Sequence, residues 1–258
     1  MKKVKISAVS YLNTVPFVYG LTNSAISKHI DLSLDNPAVC ASRLAANDAA
    51  IGLVPVAVIP QLPNYKIISN YCIGAKGKVR TVVLASNSPI ESIKKVCLDN
   101  ESRTSVLLSR ILLHKYWKLS PCFEPIQSLE NINPDLTETA YVLIGDKVFL
   151  HENKFKYIYD LAETWQQYRS LPFVFAAWTA VQPLSEDFVT ELNQAFLYGL
   201  ENIPAAIESR SNLPVDDQVA MQYLTEHIDY LFDGDKKNAL VEFWNLALDE
   251  IKTKPRSC

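Results

Sequence analysis

No Cys-x-x-Cys pair occurs among the five cysteines (Cys40, Cys72, Cys97, Cys122, Cys258), and the four histidines (His29, His114, His151, His227) show no metal-ligand spacing. No metal centre is expected. Unclustered and odd in number, the cysteines read as reduced, mostly buried small hydrophobes of a cytoplasmic protein. A basic excess is missing too: 25 Lys and Arg stand against 28 Asp and Glu, a net charge of −3. That balance argues against a general nucleic-acid binder. No stretch approaches the roughly 18 apolar residues of a membrane span. The lysine-bearing start is interrupted by Ser7, Ser10, Asn13 and Pro16, too polar for the apolar core of a signal peptide. Repeats, low-complexity tracts, charge blocks and a Pro/Gly-rich linker are all absent. What is left is an ordinary globular composition, 48% hydrophobic and 21% charged over 258 residues. That length suits one large domain or two of about 100–150 residues.

The pattern along the chain is α/β. An alternating apolar run from Val4 breaks into Ser10, Tyr11, Asn13 and Thr14, and Pro16 closes the group and disfavours helix at Val15. Asp31–Leu34 reads as a second strand, Asn36-Pro37 as a helix start, and Ala50–Val54 as a continuous apolar strand. This is the βαβ order of a parallel sheet covered on both faces. Further strands are expected at Tyr65–Ile73, Val79–Ala85, Val96–Leu98, Thr139–Ile144 and Phe173–Trp178. A short helix is expected over Pro89–Val96, and a long one after Ser105. The last 80 or so residues hold no convincing strand; Ser185, Pro204 and Pro214 each open a helix, the third running to Phe232.

Two half-size α/β units without a linker point to one unit inserted into the other. Residues 1–85 and 173–258 are assigned to a discontinuous first lobe and 86–172 to an inserted second lobe, with a ligand cleft between them. Three polar segments would line it: Ser10 to Thr14, Ser86 to Ser88, and Thr104 to Ser105. Such groups collect at the carboxyl ends of strands in open α/β sheets. The start of the long helix offers hydroxyls and Arg103 where free N–H groups favour a carboxylate or phosphate. An N-cap beside a surface arginine is the plainer account of the same residues.

Six segments in order carry a family resemblance: Ser10-Tyr-Leu-Asn-Thr-Val-Pro-Phe17, Ile51-Gly-Leu-Val-Pro-Val56, Val79-Arg-Thr-Val-Val-Leu84, Ser102-Arg-Thr-Ser105, Leu143-Ile-Gly-Asp146 and Leu171-Pro-Phe-Val-Phe-Ala-Ala-Trp178. Over residues 4 to 180 the chain resembles the menaquinone-biosynthesis chorismate dehydratases of the futalosine pathway. The resemblance implies a two-lobed fold like type II periplasmic solute-binding proteins, with a helical C-terminal extension. It also implies loss of water from chorismate to give 3-[(1-carboxyvinyl)oxy]benzoate, without metal or cofactor. Asn13 and Ser86 would then be catalytic, hydrogen-bonding the substrate and its leaving hydroxyl. Ser10, Tyr11, Thr14, Arg80, Ser88, Arg103, Thr104, Ser105 and Asp146 would bind substrate. Tyr11 and Trp178 are candidates to wall the ring, or simple core. The expected partner is this small molecule, with neither nucleic acid nor membrane; monomer and homodimer both stay open. Two alternatives are a cytosolic binding protein for a small aromatic acid, and the sibling dihydroxynaphthoate synthase. The sibling opens on a Ser-Pro-Cys-type motif and uses a second-lobe histidine; here the opening is Ser-Tyr-Leu-Asn, and His114 and His151 sit in unpromising surroundings.

Overall fold

The apolar run at the start extends as strand β1 (Val4–Val9), its last four residues buried. A computed structural model of the protein, describing residues 3–99, 101–126, 132–252 and 258, places ten further strands in chain order. These are β2 (Ile30–Asp35), β3 (Ile51–Pro55), β4 (Lys66–Ala75), β5 (Val82–Ser86), β6 (Lys95–Leu98), β7 (Cys122–Pro125), β8 (Thr139–Ile144), β9 (Tyr157–Asp160), β10 (Phe173–Ala180) and β11 (Asp229–Leu231). The helices are α1 (Val15–Asn23), α2 (Pro37–Ala45), α3 (Arg103–Ile111), α4 (Lys147–His151), α5 (Leu161–Arg169), α6 (Glu186–Glu201), α7 (Ile203–Glu208), α8 (Asp217–Gln222) and α9 (Gly234–Lys252).

The chain divides into two units: Met1–Gly74 with Val174–Gly234, and Ala75–Phe173 with Asp235–Cys258. The first crossing therefore falls before β5 rather than after residue 85, because Val82–Ser86 pairs with β8 and β9 in the second unit's sheet. The last helix, α9, groups with the second unit. Its Phe243 ring packs edge-on against Phe173 at 5.2 Å and Trp165 at 6.3 Å.

In the first unit the strand order is β11-β4-β10-β3-β1-β2. β1 runs parallel to β2 and β3, so the three carboxyl ends share one edge of the sheet. β10 is antiparallel to β3, bringing Ala176 opposite Pro55 at that edge. Behind β1 lies an aromatic cluster. Phe17 meets Phe196 at 4.8 Å, Tyr230 at 5.1 Å and Trp178 at 5.7 Å, and Trp178 stacks on Phe196 at 4.5 Å. Trp178 is thus core. Helix α1 crosses α6 at glycines: a Cβ on Gly20 would stand 1.9 Å from the Ala195 carbonyl oxygen, and one on Gly199 1.8 Å from that of Pro16.

The second unit's sheet has the order β7-β6-β8-β5-β9. β6 is parallel to β7 and β8, whereas β5 is antiparallel to β8 and β9. Asp160, at the end of β9, joins three segments of this unit. Its buried carboxylate accepts N–H bonds from Ala162 and Glu163, capping α5, and from Val79 and Arg80 (2.6 Å for Arg80). Burial raises its pKa, and the four N–H donors oppose that rise. Asp160→Asn replaces one acceptor oxygen with an NH2 that faces backbone donors. Buried donors left unpaired cost about 1–3 kcal/mol each. The variant is expected to lose at least about 2 kcal/mol in urea unfolding; parental stability would show that the cap contributes little.

Several expectations need correction. Val15 is helical, at φ −51 and ψ −45, despite the proline after it. A 3-10 turn at Leu12–Thr14 runs straight into α1, and Pro16 falls in the first turn, where a missing N–H leaves no bond unmade. Only Ile90–Ser92 of the helix expected over Pro89–Val96 forms, as a 3-10 turn. The helix expected from Pro214 to Phe232 is α8 followed by a π turn at Tyr223–His227 and then β11. Nor are all five cysteines reduced: Cys122 and Cys258 form a disulfide, while Cys40, Cys72 and Cys97 are buried thiols. Burial pushes the Cys40 and Cys97 thiols up to about 11, so both are inert near neutrality.

Candidate functional site

In the first unit the candidate residues gather where β1 ends. Ser10 is exposed, and its N–H donates to the Asp35 carbonyl at the end of β2. Tyr11 and Asn13 are half-buried and Thr14 is fully buried. The Thr14 N–H closes the turn on the Tyr11 carbonyl at 3.0 Å. Its hydroxyl donates to the Asn13 Oδ1 at 3.1 Å. With Oδ1 so engaged, the amide hydrogens on Nδ2 are what Asn13 can offer a ligand. The Asn13 backbone carbonyl accepts a 2.9 Å bond from the Tyr230 hydroxyl. Sequence reasoning missed Tyr230, because it lies 217 residues away on a three-residue strand inside a stretch read as helix.

Register sorts the second unit's candidates into two groups. Val82 pairs with Ile144 and Val83 with Asp160, so the start of β5, the end of β8 and the end of β9 share one edge. Leu98 pairs with Val142, which puts the end of β6 there too. This edge carries Arg80, Thr81, Asp99, Glu101 to Ser105, and Asp146. The Gly145 N–H donates to the Thr81 carbonyl at 2.8 Å, joining two of these segments. Thr81, buried and at the head of this edge, was not singled out in sequence.

Around the start of α3, Ser102 Oγ accepts from the Ser105 N–H and hydroxyl at 3.4 and 3.2 Å. Thr104 and Ser105 are buried, and Arg103 is exposed. Lys147 bridges Asp99 and Glu101, at 2.9 Å to each. Arg80 has a left-handed φ of 69°, fixed by its N–H on Asp160. Its guanidinium is 3.3 Å from Glu152 and lies over the Phe149 ring at 5.0 Å. Asp146 precedes α4 and makes no side-chain cap bond to it.

Ser86 and Ser88 stand at the other edge. Ser86 pairs with Ala140 and Tyr157, four residue steps along β5 from Val82, or about 13 Å. Its buried hydroxyl donates to the Thr139 carbonyl at 2.8 Å and accepts the Ser88 N–H at 3.0 Å. The Ser88 hydroxyl accepts the Glu138 N–H. These two serines therefore stay apart from Arg80, Arg103, Thr104, Ser105 and Asp146, and their hydroxyls close a turn. The expectation of similar polar strand ends treated chemistry as position; β5 runs opposite to β6 and β8, so its carboxyl end points the other way.

The two second-unit histidines differ in their surroundings. His114 Nδ1 lies 3.0 Å from both Glu250 oxygens, beside Arg110, which reaches the same carboxylate at 2.9 Å. This ties α9 to the helix that begins as α3. His151 keeps a buried Nδ1 with no hydrogen-bond partner among the described residues, and burial lowers its pKa. No group of three or more metal-ligating side chains occurs among the described residues, and no helix there is long and apolar enough to cross a membrane.

A family model described as menaquinone biosynthesis matches residues 4–249. The chain belongs to this menaquinone-biosynthesis family. A role in menaquinone biosynthesis follows from that membership. Among solved structures, protein AF1704 from Archaeoglobus fulgidus is 16% identical with a TM-score of 0.76, covering 97% of this chain and 98% of that one. The Candida albicans CA3427 product, whose family is described as having the generic periplasmic binding protein fold, is 14% identical at TM-score 0.64, covering 100% and 97%. The aliphatic sulphonate binding protein SsuA from Escherichia coli is 13% identical at 0.61, covering 99% and 95%. At such identities these likenesses establish the fold alone. The menaquinone-biosynthesis family member described here has the periplasmic-binding-protein fold, as the resemblance over its six segments implied.

Proposed function

We propose that the protein is a chorismate dehydratase, a hydro-lyase that eliminates water from chorismate to give 3-[(1-carboxyvinyl)oxy]benzoate. The observation that carries this reading is the turn at Leu12–Thr14, which commits the Asn13 Oδ1 to Thr14 and leaves Nδ2 as a donor. Its setting in a menaquinone-biosynthesis family member supports it. In the elimination a ring C–H bond and the adjacent C–O bond break. The C–H electron pair becomes the last ring double bond, and proton and hydroxide leave as water. Aromatisation supplies the drive, so the protein need only bind a dianion, orient the leaving hydroxyl and stabilise the charge that grows on it. Asn13 Nδ2 donates to that hydroxyl. The start of α3, where the helix dipole favours an anion, holds a carboxylate with Thr104, Ser105 and the Arg103 cation. Ser10, Tyr11 and Thr14 shape the turn around Asn13. Arg80, engaged with Glu152, and Asp146, a carboxylate beside a dianion, have lesser parts: field and spacing. Ser86 and Ser88 are left out because they stand at the other edge of their sheet from these second-unit groups, with the Ser86 hydroxyl given to Thr139. The proton goes to the substrate's own enolpyruvyl carboxylate, since none of these residues is placed as a base.

Incubating the purified protein with chorismate tests the reading. The expected result is a product eighteen mass units lighter, with aromatic absorbance. Chorismate bound but recovered unchanged would make the protein a carrier or sensor. Chorismate neither bound nor changed would reopen the sibling synthase.

A further inference from the structure

We propose that Tyr230 is a positioning residue for the elimination, fixing Asn13 through the backbone of its turn. The inference rests on the dehydratase reading and deepens it. Tyr230 sits on β11, which pairs with β4 through Asp229 opposite Gly74 and Leu231 opposite Tyr71. The register shifts between those two pairs, where Tyr230 faces two residues of β4, Cys72 and Ile73. Its phenol reaches the turn at the end of β1, within the same unit. The hydroxyl donates to the Asn13 carbonyl at 2.9 Å, and the ring edge packs on Phe17 at 5.1 Å and 78°. Tyr230 is itself held: the Phe232 N–H donates to the Asn70 carbonyl at 2.8 Å, and the Leu231 N–H to Asp229 Oδ1.

The bonds around Asn13 then have separate tasks. Thr14 sets the rotation of the carboxamide, and Tyr230 sets where the backbone carrying it stands. A displacement of about 1 Å in such a group costs on the order of a hundredfold in rate. Burial holds the Tyr230 phenol well above its usual pKa, so it remains a neutral donor throughout the working range.

Tyr230→Phe keeps the ring contact with Phe17 and removes only the donor. With chorismate, kcat should fall about 10–100-fold while KM stays within about threefold, because the carboxylate-holding groups are untouched. Tyr141→Phe is the structural comparison: its hydroxyl donates to the Asn133 carbonyl at 3.1 Å, and it should lower stability with kcat unchanged. A second readout needs no substrate. Hydrogen exchange at the Thr14 amide, which closes the turn, should speed up at least about tenfold in Tyr230→Phe. If kcat stays within twofold of the parent, or falls equally in Tyr141→Phe, the proposal is wrong. Unchanged exchange at Thr14 overturns it whatever the kinetics. If the parent itself leaves chorismate intact while exchange at Thr14 accelerates, the dehydratase reading fails and Tyr230 still stands as the residue that holds Asn13.

Discussion

Replacing Gly199 with alanine is expected to lower the melting temperature by roughly 6–12 °C, from an overpacking cost near about 3 kcal/mol and 2–4 °C per kcal/mol at this chain length. Two effects compete. Alanine is the better helix former by up to about 1 kcal/mol, which would raise stability on an open helix face. Here the new Cβ would stand 1.8 Å from the Pro16 carbonyl oxygen and 3.0 Å from the Gly20 nitrogen. Both are backbone atoms of α1, so no side chain can swing aside, and the helices must separate by more than 1.5 Å to restore ordinary contact. Separation loosens Phe196 from Phe17 and hence the cluster beneath the Asn13 turn. Gly20→Ala meets the Ala195 carbonyl in the same way and should behave alike. Thermal unfolding of the two variants decides the matter; a raised melting temperature in either would mean that propensity wins and the helices do not cross this closely.

The strands legible in sequence were those with unbroken apolar runs between clear punctuation. Thr139–Ile144 was expected at the bounds observed, and Phe173–Trp178 only two residues short. Asn36-Pro37 and Ser185 signalled real helix starts, each with a side-chain cap bond. The strands missed have no such run. β7 and β9 are four residues long with half-buried or exposed positions, and β11 has three residues after a helix-like stretch. Their strand state comes from pairing partners far along the chain, which periodicity does not see. The Cys122–Cys258 disulfide was illegible for a related reason. Its partners are 136 residues apart, and spacing carries no pairing information. Because disulfides persist in oxidising compartments, the cysteine count no longer supports a cytoplasmic placement.

For the site, the residues of one contiguous turn were legible and the relations between distant segments were not. Ser10 to Thr14 form the local group their spacing implied, since neighbours this near in sequence, leading into a 3-10 turn at Leu12–Thr14, cannot be far apart. Ser86 resembled them in composition, and only strand direction reveals that it stands at the other edge from Arg80. Arg80 shows a further limit: a backbone N–H held by Asp160 twists it into the left-handed region, which no local rule assigns to arginine.

Asn13 should show the largest effect on turnover. Removing one preorganised donor from a site of developing negative charge costs about 10²–10³ in rate, and Asn13→Ala should lose that much in kcat. Asn13→Asp separates donation from mere shape. Aspartate matches asparagine in size, but its ionised form has no N–H to give and sets a negative charge against a dianion. At pH 7 it should therefore be at least as impaired as the alanine variant. An unperturbed aspartate carries its proton below about pH 4, and the neighbouring dianion shifts that range upward by favouring the neutral form. Once protonated, the carboxyl regains an O–H donor. Relative to the parent at each pH, Asn13→Asp should recover activity as pH falls toward 5, whereas Asn13→Ala should not. Equal impairment at all pH values would mean that Asn13 contributes through the shape of its turn; an Asp variant as active as the parent at pH 7 would remove Asn13 from the reaction altogether.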